Sequence, residues 1–223
     1  ALLGTLVENY QMSVTHLNNF LDVVGGGPHT FLEQNLLRFP HAKSPSGSYG
    51  SAMHKAIELL YAHFKHEKEL PFATRLIAWF TSALEKERLA PEDFTMYSEK
   101  GADALAKFYA AKNEQWRQSD MIEMNFKNQG VLVGDAHLTG KLDKMVFLED
   151  AREIEVHDFK TGNPADEWEG EGVYEKKKLH SYKRQLVFYK LLVEHSRDFE
   201  GKYTVNKGVL EFLEPYRGNM IDL

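Results

Sequence analysis

The chain has 223 residues, of which 43% are hydrophobic, and this is enough for one domain with a complete core. It contains no cysteine, which excludes disulfides and thiolate metal sites and fits a cytoplasmic protein. No apolar run approaches the roughly 18–20 residues of a membrane span, and no signal peptide opens the sequence, so no membrane partner is expected. The formal net charge of −6 argues at face value against a polyanionic partner.

The first 120 residues are predicted to be mainly helical. Apolar residues recur at helical spacing from Met53 through Ile57 to Phe64. Two later segments each start near a proline, which is tolerated in the first turn of a helix. The predicted helices cover residues 48–68, 71–87 and 91–117.

The part from residue 121 to 223 is predicted to be a β-sheet core. Alternating apolar residues predict strands over residues 121–126, 130–148, 153–160 and 207–213. Turns are predicted at residues 127–130 and 149–152, and an amphipathic helix over residues 179–196. Residues 161–178 are rich in glycine and charge, which predicts a mobile loop. The expected fold is therefore α/β (α+β), a central mixed β-sheet flanked by helices in a single domain, 1–223.

Two strand-like runs end in charged residues on otherwise apolar faces. Asp158 and Lys160 share a strand face because residues two apart point the same way, and Val156 precedes them with the same parity. In the other run Asp143 shares parity with Met145. Burying an unpaired charge is costly, so these carboxylates need a metal, a cation or solvent nearby.

Four motifs follow one another in a fixed order along the chain. They are GSAMHKAIELL (50–60), Gly140-x-x-Asp143, Asp158-x-Lys160-Thr-Gly and Gln185-x-x-x-Tyr189. Together with SVTHLNNFLD (13–22) and LLRFP (36–40), they make most of the chain resemble the RecB-type nuclease domain of the PD-(D/E)XK superfamily. The similarity is to the C-terminal nuclease modules of UvrD/Rep-type helicases in particular.

This resemblance implies a restriction-endonuclease-like core and a metal-dependent DNA nuclease, an exonuclease module of a helicase-nuclease in DNA repair or recombination. The implied cofactor is Mg²⁺ or Mn²⁺, and the implied substrate is single-stranded DNA or duplex ends. Some relatives carry an iron–sulfur cluster on four cysteines, which this chain lacks. Because the sequence opens with Ala and stops at NMIDL, we expect an excised domain with a helicase domain upstream in the parent chain.

The resemblance also implies roles for individual residues. The expected metal ligands are His54, Asp143, Asp158 and the carbonyl of Phe159. Asp143 and Asp158 are also expected to be catalytic, with Lys160 orienting the attacking water and neutralising phosphoryl oxygens. Gln185 and Tyr189, four apart on one helix face, are expected to hold Lys160 or the DNA backbone. Glu123 is an accessory acidic candidate.

Each of these residues also has a purely structural interpretation. A lone histidine on an apolar helix stripe, such as His54, is more often a hydrogen-bonded core residue than a ligand. Asp143 could cap a turn or pair with Lys144, and Tyr189 could be a core residue. We interpret His157, on the opposite strand face from Asp158, as structural.

A basic run lies between the last two motifs and counters the negative net charge. It is predicted to track DNA phosphates without reading sequence. Its members are Lys176, Lys177, Lys178, Lys183 and Arg184. The alternative is a solvated surface, which describes most charge runs.

Two other functional classes remain open. One is a catalytically silent nuclease-like domain that serves DNA binding or subunit interaction, although the intact Asp143, Asp158 and Lys160 favour activity. The other is a different enzyme on an α/β core, for which the sequence offers no glycine-rich phosphate loop and no nucleophile elbow.

Overall fold

The computed structural model of the chain describes residues 2–148 and 151–223. The α-helices in this part are α1 (Leu2–Glu8), α2 (Val14–Leu21), α3 (Gly27–Phe31), α4 (Pro45–Glu67), α5 (Ala73–Lys86), α6 (Pro91–Lys112) and α7 (Val173–Glu194). The strands are β1 (Gln11–Met12), β2 (Met121–Asn125), β3 (Leu132–Val133), β4 (Ala136–Leu138), β5 (Lys141–Leu148), β6 (Glu153–Lys160) and β7 (Thr204–Phe212). Among the described residues, none of the helices combines the length and the apolar character that a membrane crossing requires.

The strands form two sheets, and the larger one carries the predicted site residues. Its strand order is β2-β5-β6-β7, with antiparallel pairs up to β6 and a parallel β6–β7 pair. α7 provides the crossover between these two parallel strands, as a parallel connection requires. A smaller sheet has the order β1-β4-β3. The predicted mixed α/β fold is therefore confirmed.

Helices cover both faces of the larger sheet. α4, α5 and α6 pack together through a cluster that includes Met53, Phe80 and Phe108, and Phe159 of β6 joins it from the sheet. On the opposite face, α7 buries apolar residues such as Leu192 against the strands. This sandwich places one end of β6 between α4 on one side and α7 on the other.

Most predicted elements exist with bounds shifted by a few residues. β6 has the predicted bounds, whereas α4 starts at Pro45 because the Ser44 side chain caps it, accepting a hydrogen bond from the Gly47 N–H at 3.1 Å. α6 ends at Lys112, before the predicted 117, and β7 starts early, at Thr204. The predicted turn at 149–152 includes residues 149–150, which lie outside the described residues.

The predicted single strand over residues 130–148 is wrong. The chain forms β3 and β4, which pair with each other, and only then enters β5. Gly134 has φ of +59°, a left-handed conformation that favours glycine and turns the backbone. The hairpin leaves the larger sheet because β4 pairs in parallel with β1.

The predicted loop over residues 161–178 extends too far, because α7 already begins at Val173, six residues before the predicted start. The Glu175 carboxylate accepts hydrogen bonds from the backbone N–H groups of Glu171 at 3.1 Å and Gly172 at 3.4 Å. These bonds satisfy donors at the start of the helix. Lys176, Lys177 and Lys178 therefore lie in the first turns of α7.

Candidate active site

Three side chains with metal-ligating atoms meet where α4 crosses the larger sheet. His54 comes from α4, Glu123 from β2 and Asp143 from β5, and one ligand atom of each lies within 4.8 Å of the others. The His54 Nδ1 atom is 3.4 Å from Asp143 Oδ1 and 3.8 Å from Glu123 Oε1. We refer to His54, Glu123 and Asp143 as the acidic cluster.

Close packing of α4 against the end of β6 brings His54 into this position. An added Cβ at Gly50 would lie 3.1 Å from Thr161 Oγ1, so the missing side chain allows the helix to approach. The His54 Nε2–H donates to the Phe159 carbonyl oxygen at 3.1 Å. The imidazole is thus anchored on β6 while its Nδ1 faces the two carboxylates.

Glu123 reaches the cluster through an unusual backbone conformation. Its φ of +57° lies in the left-handed region, which costs on the order of 1–3 kcal/mol for a residue other than glycine. The β2–β5 register pairs Ile122 with Lys144 and Met124 with Leu142 on either side of it. Such strain is retained where the surroundings fix it, and here it accompanies a carboxylate beside His54.

The negative charges of Glu123 and Asp143 are balanced by two basic side chains, those of His54 and Lys141. Burial alone would lower the pKa of His54, but the neighbouring carboxylates of Asp143 and Glu123 raise it to about 10. Burial would raise the pKa of Glu123, but His54 and Lys141 together lower it. Lys141 forms an ion pair with Glu123, and its side chain remains 53% exposed. A positive charge therefore meets the carboxylates from the rim of the site.

Asp143 is held from the neighbouring strand. Its Oδ2 accepts the backbone N–H of Phe159 at 2.8 Å, which leaves Oδ1 directed towards His54. The carboxylate is buried, with only 8% of the residue exposed. This hydrogen bond also ties the acidic cluster to the strand that carries Asp158 and Lys160.

Asp158 lies in a second group, next to the acidic cluster and against α7. Its Oδ1 accepts hydrogen bonds from Gln185 Nε2 at 2.6 Å and from the Tyr189 hydroxyl at 2.8 Å. Its Oδ2 is 2.6 Å from Lys160 Nζ, an ion pair that lacks the geometry of a directed hydrogen bond. Burial raises the pKa of Asp158, Lys160 opposes this effect, and the Asp143 carboxylate adds to it.

Lys160 is enclosed by the same face of α7. Its Nζ donates to Gln185 Oε1 at 2.7 Å and lies 4.6 Å from the centre of the Tyr182 ring. Gln185 Nε2 also lies 2.9 Å from the Tyr189 hydroxyl oxygen. The amide of Gln185 therefore bridges the carboxylate, the lysine and the tyrosine.

The predicted site residues thus fall into two adjoining groups. His54 and Asp143 lie with Glu123, which the sequence offered only as an accessory candidate, and Phe159 joins them through its backbone. Asp158, Lys160, Gln185 and Tyr189 form the other group. Among the described residues, the carboxylate of Asp158 is not part of the acidic cluster, and its role as a ligand stays a prediction.

Two residues of the site were not predicted. Tyr182 lies three residues before Gln185, a spacing that places both on one helix face and could have signalled it. The other is Lys141, whose pairing with Glu123 depends on tertiary contacts that the sequence pattern does not contain.

The basic run lies on α7 and contacts other parts of the chain. Lys177 Nζ is 2.6 Å from Asp22 Oδ1, and Lys178 Nζ donates to the Asn163 carbonyl oxygen at 2.8 Å. Lys183 Nζ lies 5.4 Å from the centre of the Trp168 ring, and Arg184 donates to Asn18 Oδ1 at 2.5 Å. DNA binding by this run stays a prediction.

A mixed sheet with carboxylates and a lysine at the meeting edges of adjacent strands is the arrangement of a nuclease class that uses divalent metals. A family model described as the PD-(D/E)XK nuclease superfamily matches residues 11–216, and the chain belongs to this superfamily. A search of curated proteins found no match. The acidic cluster supplies the donor types that a divalent metal requires.

Proposed function

We propose that this domain is a divalent-metal-dependent deoxyribonuclease that hydrolyses phosphodiester bonds. The observation that carries the proposal is the meeting of His54, Glu123 and Asp143 beside a partly buried lysine, Lys160, in a member of the PD-(D/E)XK superfamily. Two carboxylates and an imidazole can hold a divalent cation, and a lysine on the adjoining strand can neutralise phosphoryl charge.

The donor set fits Mg²⁺ or Mn²⁺. The ligand atoms of the acidic cluster already lie within 4.8 Å of one another, and two of the three donors are hard carboxylate oxygens. The imidazole of His54 makes Mn²⁺ somewhat more favourable than at an all-oxygen site. Such a metal, when bound, supplies Lewis-acid stabilisation of the phosphoryl group and a more acidic water. Asp158 and the Phe159 carbonyl remain further candidate ligands.

His54 has to release a proton before its Nδ1 can ligate. The neighbouring carboxylates raise the pKa of His54 to about 10, so the imidazole is protonated at neutral pH. A metal cation in the acidic cluster would replace that proton and would also compete with Lys141 for Glu123. Both basic groups therefore serve as exchangeable counter-charges in this proposal.

Lys160 is proposed to act on the substrate rather than on the metal. Its ammonium is directed by Asp158 and Gln185, and only 17% of its side chain is exposed. In this low-dielectric position a fixed positive charge stabilises the charge that develops on phosphoryl oxygens. Tyr189 completes the arrangement by fixing the Asp158 carboxylate from α7.

We further propose that the domain is of the RecB-like subtype and acts as the exonuclease module of a cytoplasmic helicase-nuclease in DNA repair or recombination. The ordered motifs from Gly50 to Tyr189 support this assignment. Residues 1–223 are proposed to function as one unit. Supporting this, α4 of the helical half supplies His54 to a site whose other members lie on the sheet and α7.

Digestion of end-labelled single-stranded and double-stranded DNA tests the proposed activity. Wild-type protein should cleave with Mg²⁺ or Mn²⁺ and not with EDTA. Asp143→Asn should lose about 10³-fold or more in rate, because it removes a ligand charge. Asp135→Asn, an exposed loop residue, is the matched control and should cleave normally. Metal-independent cleavage, or full activity of Asp143→Asn, would refute the proposal.

One observation favours a catalytically silent domain as the second candidate. Asp158 Oδ1 already accepts hydrogen bonds from Gln185 and Tyr189 of its own chain, and Oδ2 forms an ion pair with Lys160. A domain that used this network only for stability would bind DNA or a partner subunit without cutting. DNA binding with no cleavage under any metal condition in the digestion experiment would support this second candidate.

A further inference from the structure

Tyr182 places an aromatic face beside the lysine of the candidate active site. We propose that Tyr182 is a positioning residue that fixes the Lys160 ammonium for phosphoryl-charge neutralisation, and this inference rests on the nuclease function proposed above. The Lys160 Nζ atom lies 4.6 Å from the centre of the Tyr182 ring, within the range of a cation–π interaction. The ring belongs to α7, a long helix whose packing on the sheet holds it in place.

α7 presents three side chains to the Asp158–Lys160 pair. Tyr182, Gln185 and Tyr189 are spaced by three and four residues, so they lie along one face of α7. Gln185 and Tyr189 both donate to Asp158, and Tyr182 faces Lys160. One helix face therefore contacts both members of the Asp158–Lys160 pair.

The ring restricts the directions that the ammonium can take. Lysine has a flexible four-carbon stem, and its charge must be confined to act at one point. Asp158 Oδ2 and Gln185 Oε1 lie 2.6 and 2.7 Å from Nζ, and the ring covers a third side. The lysine is therefore held by a carboxylate, an amide and an aromatic face, which together fix where its positive charge lies.

The ring face, rather than the hydroxyl, carries the contact. Burial and the nearby Asp158 carboxylate raise the pKa of Tyr182 to about 12, so the phenol is neutral at the pH of any ordinary assay. A phenylalanine ring presents a similar negative face to a cation. Tyr182→Phe should therefore preserve the function that Tyr182→Leu removes.

The Tyr182 ring also contacts a second lysine, Lys178, whose contribution must be distinguished from that of Lys160. Lys178 Nζ lies 5.6 Å from the centre of the same ring and donates to the Asn163 carbonyl oxygen. Lys178→Met removes this cation and leaves the Lys160 contact in place. Lys178 belongs to the basic run, so its own loss is expected to raise KM for DNA. If positioning of Lys160 is the role of the ring, Tyr182→Leu should lower kcat by the same factor in the Lys178→Met background as in the wild-type background.

The kinetic test compares ring-keeping and ring-removing variants on labelled DNA with Mn²⁺. Tyr182→Leu should lower kcat about tenfold with KM within about twofold, and Tyr182→Phe should stay near wild type. Tyr203→Leu is the matched control, because Tyr203 is also partly buried against the same core but contacts Phe147. Equal loss of kcat in the Tyr182→Leu and Tyr203→Leu variants, or failure of Tyr182→Phe to retain activity, would overturn the proposal.

A fold-preserving series sharpens this test. Phenylalanine with increasing fluorination at position 182 keeps the ring shape and weakens the negative potential of its face. We expect kcat to fall stepwise along the series while Mn²⁺ affinity, measured by calorimetry, stays constant. A flat kcat across the series would overturn the cation–π contact as the means of positioning.

A measurement that needs no cleavage separates this inference from the proposed function. Urea midpoints of Tyr182→Leu, Lys160→Met and the double variant should be non-additive, because both single changes remove the same contact. Additive midpoint shifts would overturn the contact itself. If the midpoint shifts of the variants are non-additive but the wild-type protein does not cleave DNA, the contact exists and the nuclease function is refuted, and with it the role of Tyr182 in the reaction.

Discussion

Two groups of charged side chains adjoin at β5, where Asp143 and Lys144 are consecutive residues, and they balance their charges differently. One is the acidic cluster at the crossing of α4. The other, the buried ion cluster, consists of Lys144, His157 and Glu211. In the latter, Glu211 Oε1 is 2.9 Å from Lys144 Nζ and 2.5 Å from His157 Nδ1. One carboxylate is thus shared by two basic side chains inside the protein.

The exposure of the basic partners distinguishes the two groups. The side chains of Lys144 and His157 are 6% and 10% exposed, whereas those of His54 and Lys141 are 30% and 53% exposed. A buried counter-charge cannot leave without exposing an unpaired charge, but a rim counter-charge can move into water. We therefore expect the acidic cluster, and not the buried ion cluster, to exchange its counter-charges for a metal.

The largest expected effect is a loss of cleavage rate on replacing Lys160, which should distinguish this lysine from Lys144. Lys160→Ala should reduce cleavage by about 10²–10³-fold while Mn²⁺ affinity stays within about threefold of wild type, since Lys160 is not a ligand. Lys144→Ala should instead reduce stability, because it leaves Glu211 with one partner fewer. Single-turnover rates, calorimetry and urea melts on both variants measure these effects. An active Lys160→Ala variant would remove this lysine from the mechanism.

The buried ion cluster predicts a pH-dependent stability. Burial alone would raise the pKa of Glu211, but His157 and Lys144 lower it from 4.5 to about 2. A depressed pKa contributes stability that is present above pH 4.5 and is lost as the pH falls through 2. Wild type should exceed Glu211→Gln by on the order of 3 kcal/mol in unfolding free energy at pH 6.

Urea unfolding at several pH values between 2 and 6 measures this difference. The gap between wild type and Glu211→Gln should be constant above about pH 4.5 and shrink as the pH falls towards 2, because protonation removes the charge that the variant already lacks. A gap that is constant over this range would show that the buried ion cluster does not stabilise the fold through its charge.

The smallest expected effect concerns the basic run. Replacing Lys176, Lys177 and Lys178 by alanine should weaken DNA binding about tenfold at low salt and flatten its salt dependence, similarly for unrelated sequences. Lys177 already pairs with Asp22, and Lys178 donates to the Asn163 carbonyl oxygen. Their replacement should therefore cost less DNA affinity than the replacement of three lysines without intramolecular contacts. The matched control replaces three exposed lysines away from the site, Lys65, Lys68 and Lys86. Equal losses in both variants would attribute the effect to net charge alone.

Local sequence patterns predicted the parts of the fold that depend on nearby residues. β6 was predicted with its observed bounds because Ile154 and Val156 alternate with polar residues before a Thr-Gly turn. The segment 130–148 was misjudged because its central hairpin pairs with β1, more than a hundred residues earlier. Periodicity reports which residues are apolar and carries no record of such long-range pairing.

For the candidate active site, the sequence motifs predicted which residues take part but not how they are arranged in space. His54, Asp143, Asp158 and Lys160 belong to motifs and could be named from the sequence. Their separation into two groups could not be named, because it depends on how far α4 and α7 approach the sheet from opposite sides. The left-handed backbone of Glu123 likewise has no signal in a single sequence.

Calorimetric titration with Mn²⁺ at pH 7.5 tests the contrast between the two groups most directly. The comparison uses wild type, Glu123→Gln from the acidic cluster and Glu211→Gln from the buried ion cluster. Glu123→Gln should weaken Mn²⁺ binding at least about tenfold, and Glu211→Gln should bind as wild type does. Unchanged affinity in Glu123→Gln, or loss of binding in Glu211→Gln, would contradict the assignment of the metal to His54, Glu123 and Asp143.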